Sequence, residues 1–395
     1  MLASETVHEQ SPGSPIRDSR AVLVRYTTAA ALARLADEGS RVALLLAALE
    51  HGRGAAFGGI LVAALMVPHV AAAPLVGALA DRIRRRKLLY LAGLVGYGLG
   101  LAGGAALAGP VPAAAIALVV LAGCVAPLLI GGLTSLLGEL APHNTQRAFG
   151  LDAMSYGAAG VAGPAVAAVL ASTVGAVWAA GTLAAACGLS AALVATLPIR
   201  AVPKKAEPGE GGAIKALWRS PSLAAVTAGS SLSQIGMGAL PIVAAVLAVR
   251  AHDPALTGIA LSVMAAGNLA SSLAYTAHPI RRWPPESVVL ACLLALAVPF
   301  VLLSVVHWTL VLFAVAGLLN GPLFCALLAV RDREAPPAVR TQVFTIGAGL
   351  KVTAAAAGAA LAGFGTGLGA GALLLAVAGC QLIAAGAGAL LRSKR

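Results

Sequence analysis

Four ionisable residues, Arg34, Asp37, Glu38 and Arg41, sit inside a stretch that is otherwise apolar. A helix turns about 100° per residue, so all four fall within an arc of roughly 100° and form one stripe. Arg34 and Glu38, like Asp37 and Arg41, stand four residues apart, the spacing at which opposite charges on a helix meet. Carboxylates so placed can take up and release protons or meet a cationic group; the structural alternative is a self-neutralising pair. A cationic partner favours the charged carboxylate, so proton uptake requires the pairing to change between conformations.

Other polar side chains are scattered singly through apolar runs. Lys351 lies eleven residues after Arg340, roughly 16 Å along a helix rising about 1.5 Å per residue, which is far for a lysine to snorkel. It is expected to meet an anionic group in a cavity or to pair with a carboxylate of the first helix. His69, next to Pro68, could shuttle a proton or make a packing hydrogen bond. Asp152 reads as an interfacial or inter-helix partner. Tyr156, Ser230, Ser233, Gln234, Asn268, Asn320 and Gln381 could line a path or join helices.

These residues are carried by a chain that is 59% hydrophobic and 11% charged, with a mean hydropathy of +0.91. Soluble domains are about 45–50% apolar and about 25% charged, so water cannot be the solvent for this fold. Apolar runs long enough to cross a hydrocarbon core recur along the sequence. Punctuation by Pro, Gly and charge predicts twelve helices, near 23–50, 57–80, 88–108, 112–138, 148–172, 175–197, 222–249, 256–278, 287–306, 308–330, 341–364 and 369–391. In that frame Asp37 lies twelve residues after Arg25, roughly 18 Å deep and close to mid-membrane.

The fold class expected is therefore all-α and integral to the membrane, built as two six-helix repeats. Ala141-Pro142 recurs as Ala335-Pro336, Thr145-Gln146 as Thr341-Gln342, Phe149 as Phe344 and Arg85-Arg86 as Arg281-Arg282, at an offset close to half the chain. Repeats with an even number of helices lie parallel. The expected division is a tail over 1–20, a bundle over 21–198, a linker over 199–221 and a second bundle over 222–395. In the linker, Ile214, Leu217 and Trp218 beside Lys215 and Arg219 suggest a short interfacial helix. At this offset Lys351 is the counterpart of Tyr156, and the charged first helix corresponds to a seventh that offers only Ser and Gln.

The net charge of +12 is not a nucleic-acid signature, because the cations cluster between apolar runs. Arg82, Arg84, Arg85, Arg86 and Lys87 follow helix 2, Lys204, Lys205, Lys215 and Arg219 fill the linker, and Arg281, Arg282, Arg331, Arg333 and Arg340 fall in later loops of the same parity. The positive-inside rule then places both termini in the cytoplasm of a cell-membrane protein. The polar first twenty residues show no cleavable leader. The five cysteines lack CxxC spacing and read as buried thiols.

At the end of helix 2 the sequence runs Gly77-Ala78-Leu79-Ala80-Asp81-Arg82-Ile83-Arg84-Arg85-Arg86-Lys87. It resembles the loop 2–3 signature of the major facilitator superfamily, G-x-L-x-D-R-x-G-R-R/K, with Arg84 where the second glycine is expected. The resemblance implies that Asp81 and Arg82 hold the two halves together on the cytoplasmic side when the transporter opens outward, with Gly77, Arg85 and Arg86 completing the motif. Helix 5 carries Gly157, Gly160, Gly163 and Pro164, similar to the glycine-proline motif of the family's antiporters. Helix 4 has no charge between Gly109 and Gly138, so it lacks the arginine of many proton-coupled exporters.

The sequence has no GxxxxGK[ST] loop, no HExxH and no nucleophile elbow, which argues against ATP-driven transport by this chain and against soluble-type catalysis. The expectation is a monomeric secondary transporter in the lipid bilayer, with a small-molecule substrate, no nucleic-acid partner, no metal, and protons as the coupling ion. Proton-linked efflux of amphipathic compounds is favoured, with uptake of a polar or anionic metabolite as the rival. A lipid-handling membrane protein or enzyme would need a polar cluster at a membrane face.

Overall fold

The computed structural model describes residues 15–142, 144–199, 212–253, 255–278, 280, 282–306 and 309–393. The expectations for the tail before residue 15, for Lys204 and Lys205 in the linker, and for Arg281 lie outside them. Among the described residues there are twelve helices of membrane length. Helices 1 to 6 are Pro15–Glu50, Gly54–Arg82, Arg86–Leu107, Pro112–Leu140, Thr145–Val174 and Ala176–Ala195. Helices 7 to 12 are Pro221–Arg250, Ala255–Ala277, Pro285–Val305, Thr309–Glu334, Arg340–Phe364 and Gly369–Ser393. Helix 1 starts eight residues earlier than expected, at Pro15.

Ten stretches are long and apolar enough to cross a bilayer by length and composition, and the last, Pro337–Ser393, contains both helices 11 and 12. Helix 1 falls outside that set although it has 36 residues. Its central charges lower its hydropathy, so only burial against other helices makes it a span.

Helix 1 packs against helices 5 and 6, and helix 7 against helices 11 and 12. Helices 2 and 4, 3 and 4, and 3 and 6 pair in the first half; 8 and 10, 9 and 10, and 9 and 12 pair in the second. Each neighbour relation recurs six helices later, the architecture of two parallel six-helix repeats. Lipid tails are as apolar as Leu, so close packing has to hold such helices together. The sequence provides for it with small residues: Ala29, Ala33, Ala36, Ala43 and Ala47 of helix 1 are fully buried. Leu75, Trp178, Val249 and Phe364 stay exposed, as apolar residues do where lipid is the solvent.

The halves meet along helix 2 against helix 11 and helix 5 against helices 8 and 10. Helix 4 joins them through a feature that its apolar run does not announce. After Pro127, which has no N–H to donate, the helix widens into a π turn over Leu128–Gly132. That turn packs against helix 11. The linker ends in a short helix, Gly212–Arg219, with Ala213 and Leu217 buried and Ile214 and Trp218 exposed.

Candidate functional site

The stripe on helix 1 does not act as one unit. Arg34 turns toward helices 4 and 5, where its Nη2 donates to Asp152 Oδ1 at 2.7 Å and to Thr134 Oγ1 at 2.9 Å. Its Nη1 donates to the Asp152 carbonyl at 2.9 Å and to Ser155 Oγ. Tyr26 completes the shell, donating to Asp152 Oδ1 at 2.6 Å. Arg34 and Asp152 are 1% and 0% exposed. The expected Arg34–Glu38 pair is thus replaced by Arg34–Asp152. Asp152, expected as an interfacial or inter-helix partner, is the inter-helix one, buried and tying helix 1 to helix 5. The physical reason is satisfaction: a guanidinium has five donors, and helix 5 offers a carboxylate, a carbonyl and a hydroxyl together. Tyr156 lies under the guanidinium, 3.6 Å from carbon to ring centroid.

Asp37 faces helix 3 instead. Tyr97 donates to Asp37 Oδ1 at 3.0 Å and to Ser40 Oγ at 3.0 Å. The expected Asp37–Arg41 pair is present at 3.3 Å, and Arg41 also holds Glu38 at 2.8 Å. Asp37 is buried, whereas Arg41 and Glu38 are each about one-third exposed. Arg41 therefore bridges a buried carboxylate and one that faces open space.

That space is a cavity of about 280 Å³ between the halves. Helix 1 contributes Glu38 and Arg41, helix 2 Met66, helix 4 Ile130 and Thr134, helix 5 Tyr156, and helix 7 Gln234. Helix 10 adds Phe324, Leu328 and Arg331, and helix 11 adds Phe344, Lys351 and Val352. Tyr156 and Lys351, counterparts in the two repeats, both reach it. Lys351 makes no ion pair with helix 1 among the described residues; its Nζ sits 4.1 Å from the Phe324 ring centroid. Phe324 also meets Tyr156 edge to face at 5.1 Å. A cation in such a setting gains from the ring quadrupole.

At one membrane end the halves are clamped. Asp81, at the close of helix 2, accepts the backbone N–H groups of Thr341 and Gln342 at 2.9 and 2.8 Å. These belong to the first turn of helix 11, whose N–H groups have no partner within the helix and whose dipole favours an anion. Gln342 Nε2 donates to the Pro74 carbonyl at 3.1 Å and Thr345 Oγ1 to the Ala73 carbonyl at 2.8 Å. Gly77 lets the helices approach, since a Cβ there would collide with Thr345 Oγ1 and lie 2.6 Å from Gln342 Cα. Ser135 donates to Thr341 Oγ1 at 3.1 Å, and Phe149 stacks on Phe344 at 6.2 Å. The hydrogen bonds described between the halves gather at this end.

The sequence matches the Major Facilitator Superfamily over residues 26–359. The chain belongs to that superfamily. Among solved structures it is similar to the fucose:proton symporter of E. coli, at 12% identity and TM-score 0.77, covering 96% of this chain and 100% of that one. It is also similar to a bacterial homologue of the iron transporter ferroportin in an outward-facing state, at 13% identity and TM-score 0.76, covering 94% and 100%. The human organic anion transporter MFSD10 aligns at 19% identity and TM-score 0.69, covering 94% and 99%. Identities this low establish a shared fold. No curated protein matches the sequence.

Within this major facilitator fold the remaining expected site residues fall into place unevenly. Arg82 and Arg85 are exposed and make no described bond to the other half, so the clamp is carried by Asp81. Arg86 pairs with Glu139 of helix 4. Gly163 is a helix 1 contact: a Cβ would lie 2.8 Å from the Gly39 nitrogen and the Leu35 carbonyl oxygen. Gly160 faces open space, and Pro164 lies inside an unbroken helix. His69 is buried, with no hydrogen-bond partner for its Nε2 among the described residues, and it does not line the cavity. Asn268 and Asn320 do not line it either. Gln381 and Ser233 bond to each other at 2.6 Å and join helices 7 and 12.

Two cavity features are absent from the sequence reading. One is the π turn of helix 4, signalled only by Pro127 followed by Gly131-Gly132. The other is Arg331, which the apolar-run count assigns to a loop. Helix 10 continues to Glu334 and keeps Arg331 2% exposed at the cavity wall. The helical spacing of Phe324, Leu328 and Arg331, which puts all three on one face, is the available signal.

Proposed function

We propose that this chain is a proton-linked secondary transporter that works by alternating access, with the central cavity as its substrate site. The observation that carries the reading is Arg41, which joins Glu38 on the cavity wall to the buried Asp37 behind it. Protonating Glu38 would free Arg41 for Asp37 or for a substrate, so proton occupancy and cavity charge are linked through one side chain. Depth supports it, since these residues sit near mid-membrane and both halves border the space.

By the positive-inside rule the Lys- and Arg-rich segments put the clamped end on the cytoplasmic side, which makes this a conformation closed inward. Asp81 on the first turn of helix 11 is then the inner gate, and the two six-helix halves, residues 21–198 and 222–395, rock about the cavity. Both termini face the cytoplasm, and one copy contains a complete site. Efflux is the direction favoured by the helix 5 motif, with Gly163 pressed against helix 1 beside the Glu38 cluster. The lining of Met66, Ile130, Phe324 and Phe344 suits a substrate with an apolar body. Transport by purified protein in vesicles with an imposed pH gradient tests this: substrate flux should move protons in a fixed ratio. Flux indifferent to the gradient and without proton movement would refute coupling.

A further inference from the structure

We propose that the central cavity selects small amphipathic organic anions, whose acidic group is held between Arg331 of helix 10 and Lys351 of helix 11. This rests on the reading of the cavity as the substrate site and adds the substrate's charge and shape.

Arg331 carries the argument. It is 2% exposed, and its Nε and Nη2 are buried with no hydrogen-bond partner among the described residues. Buried guanidinium donors are normally satisfied, and an arginine in a membrane span faces a partner or a cavity. This one lines the cavity without an ion pair among the described residues. Gly347 of helix 11 makes room for it, since a Cβ there would collide with the guanidinium.

Lys351 supplies the second cation. It lines the same cavity, has no ion pair among the described residues, and rests on the Phe324 ring. The one carboxylate in the lining, Glu38, is already held by Arg41. Arg41 is shared between Glu38 and the buried Asp37, so helix 1 brings one net negative charge against the two cations of helices 10 and 11, and the cavity keeps a net positive charge. A carboxylate or sulfonate matches a guanidinium bidentately and can take a lysine on its other side. Phe324, which carries Lys351 on its ring, lines the cavity with Leu328, Phe344 and Val352, and these would cover an apolar body. A cationic substrate placed between Arg331 and Lys351 would meet two like charges, which is selection by repulsion.

The test compares two probes of the same shape and opposite charge, naphthoate and naphthylmethylammonium. Each is measured by equilibrium binding to purified full-length protein in nanodiscs without a pH gradient. Naphthoate should bind saturably and at least about tenfold more tightly than the cation. Arg331→Gln should lower naphthoate affinity by about tenfold or more, Lys351→Gln should lower it, and Arg331→Lys should retain part of it. Because a variant could fail to fold, each is scored only with an unchanged elution profile and melting temperature. The probe comparison on the unmodified protein stands by itself. Equal or tighter binding of the cation, no binding of naphthoate, or unchanged naphthoate affinity in folded Arg331→Gln would each overturn the proposal. Equilibrium binding needs no gradient, so these failures are separate from a failure of proton coupling.

Discussion

Arg34 and Asp152 form an ion pair of 2.7 Å with both side chains out of contact with solvent, and it joins helix 1 to helix 5. Removing one member of a buried pair leaves the other charge uncompensated, at a cost of about 3–5 kcal/mol. Asp152→Ala should therefore lower the melting temperature of the purified protein sharply. A double replacement by apolar residues of similar volume should recover much of the loss. Thermal unfolding in detergent, followed for both variants, checks this.

Asp81 accepts two backbone N–H groups from across the interface, and hydrogen bonds to a charged group contribute about 1.5–3 kcal/mol each. Asp81→Ala should shift the population away from the conformation closed at that end by at least about tenfold. Spin-label distances between the ends of helices 2 and 11 would show it as a new, longer population. An unchanged distance distribution would remove Asp81 as the clamp.

Gly77→Val adds bulk where no Cβ fits, against the helix 11 backbone. It should hold the Asp81 end open without unfolding either half, because the clash lies between them. The readout is alkylation of a cysteine placed at Ser135, which faces Thr341 across the closed interface. Faster modification in the Gly77→Val background is expected.

Glu38→Gln mimics a permanently protonated carboxyl and weakens the hold on Arg41. Gradient-driven accumulation should be lost, while exchange of substrate across the vesicle membrane without a gradient persists. Flux that becomes insensitive to pH fits Glu38 as the coupling site. A variant that still follows the gradient like the unmodified protein would assign coupling elsewhere, with Asp37 as the next residue to replace.

Much of the architecture was legible in the residue pattern, because a bilayer imposes its own length and polarity on every span. The twelve helices, the duplication and the Gly77–Asp81 motif all follow from local signals. Apolar length, repeated dipeptides and a glycine four residues before an aspartate need no knowledge of neighbours. That Tyr156 and Lys351 are counterparts was likewise readable from the repeat offset, and both line the cavity.

Pairing was not. Local spacing gave Arg34 to Glu38, and the fold gave Arg34 to Asp152, 118 residues away, because helix 5 presents acceptors for several guanidinium donors at once. Arg331 counted as a loop cation until helix 10 carried it to the cavity wall, and Lys351, expected at a cavity or against a carboxylate, lies at the cavity on an aromatic ring. Sequence determined which residues must leave water. Only the packing of helices from both halves decided which charges met a partner and which were left facing the cavity, since burial is set by neighbours distant in the chain.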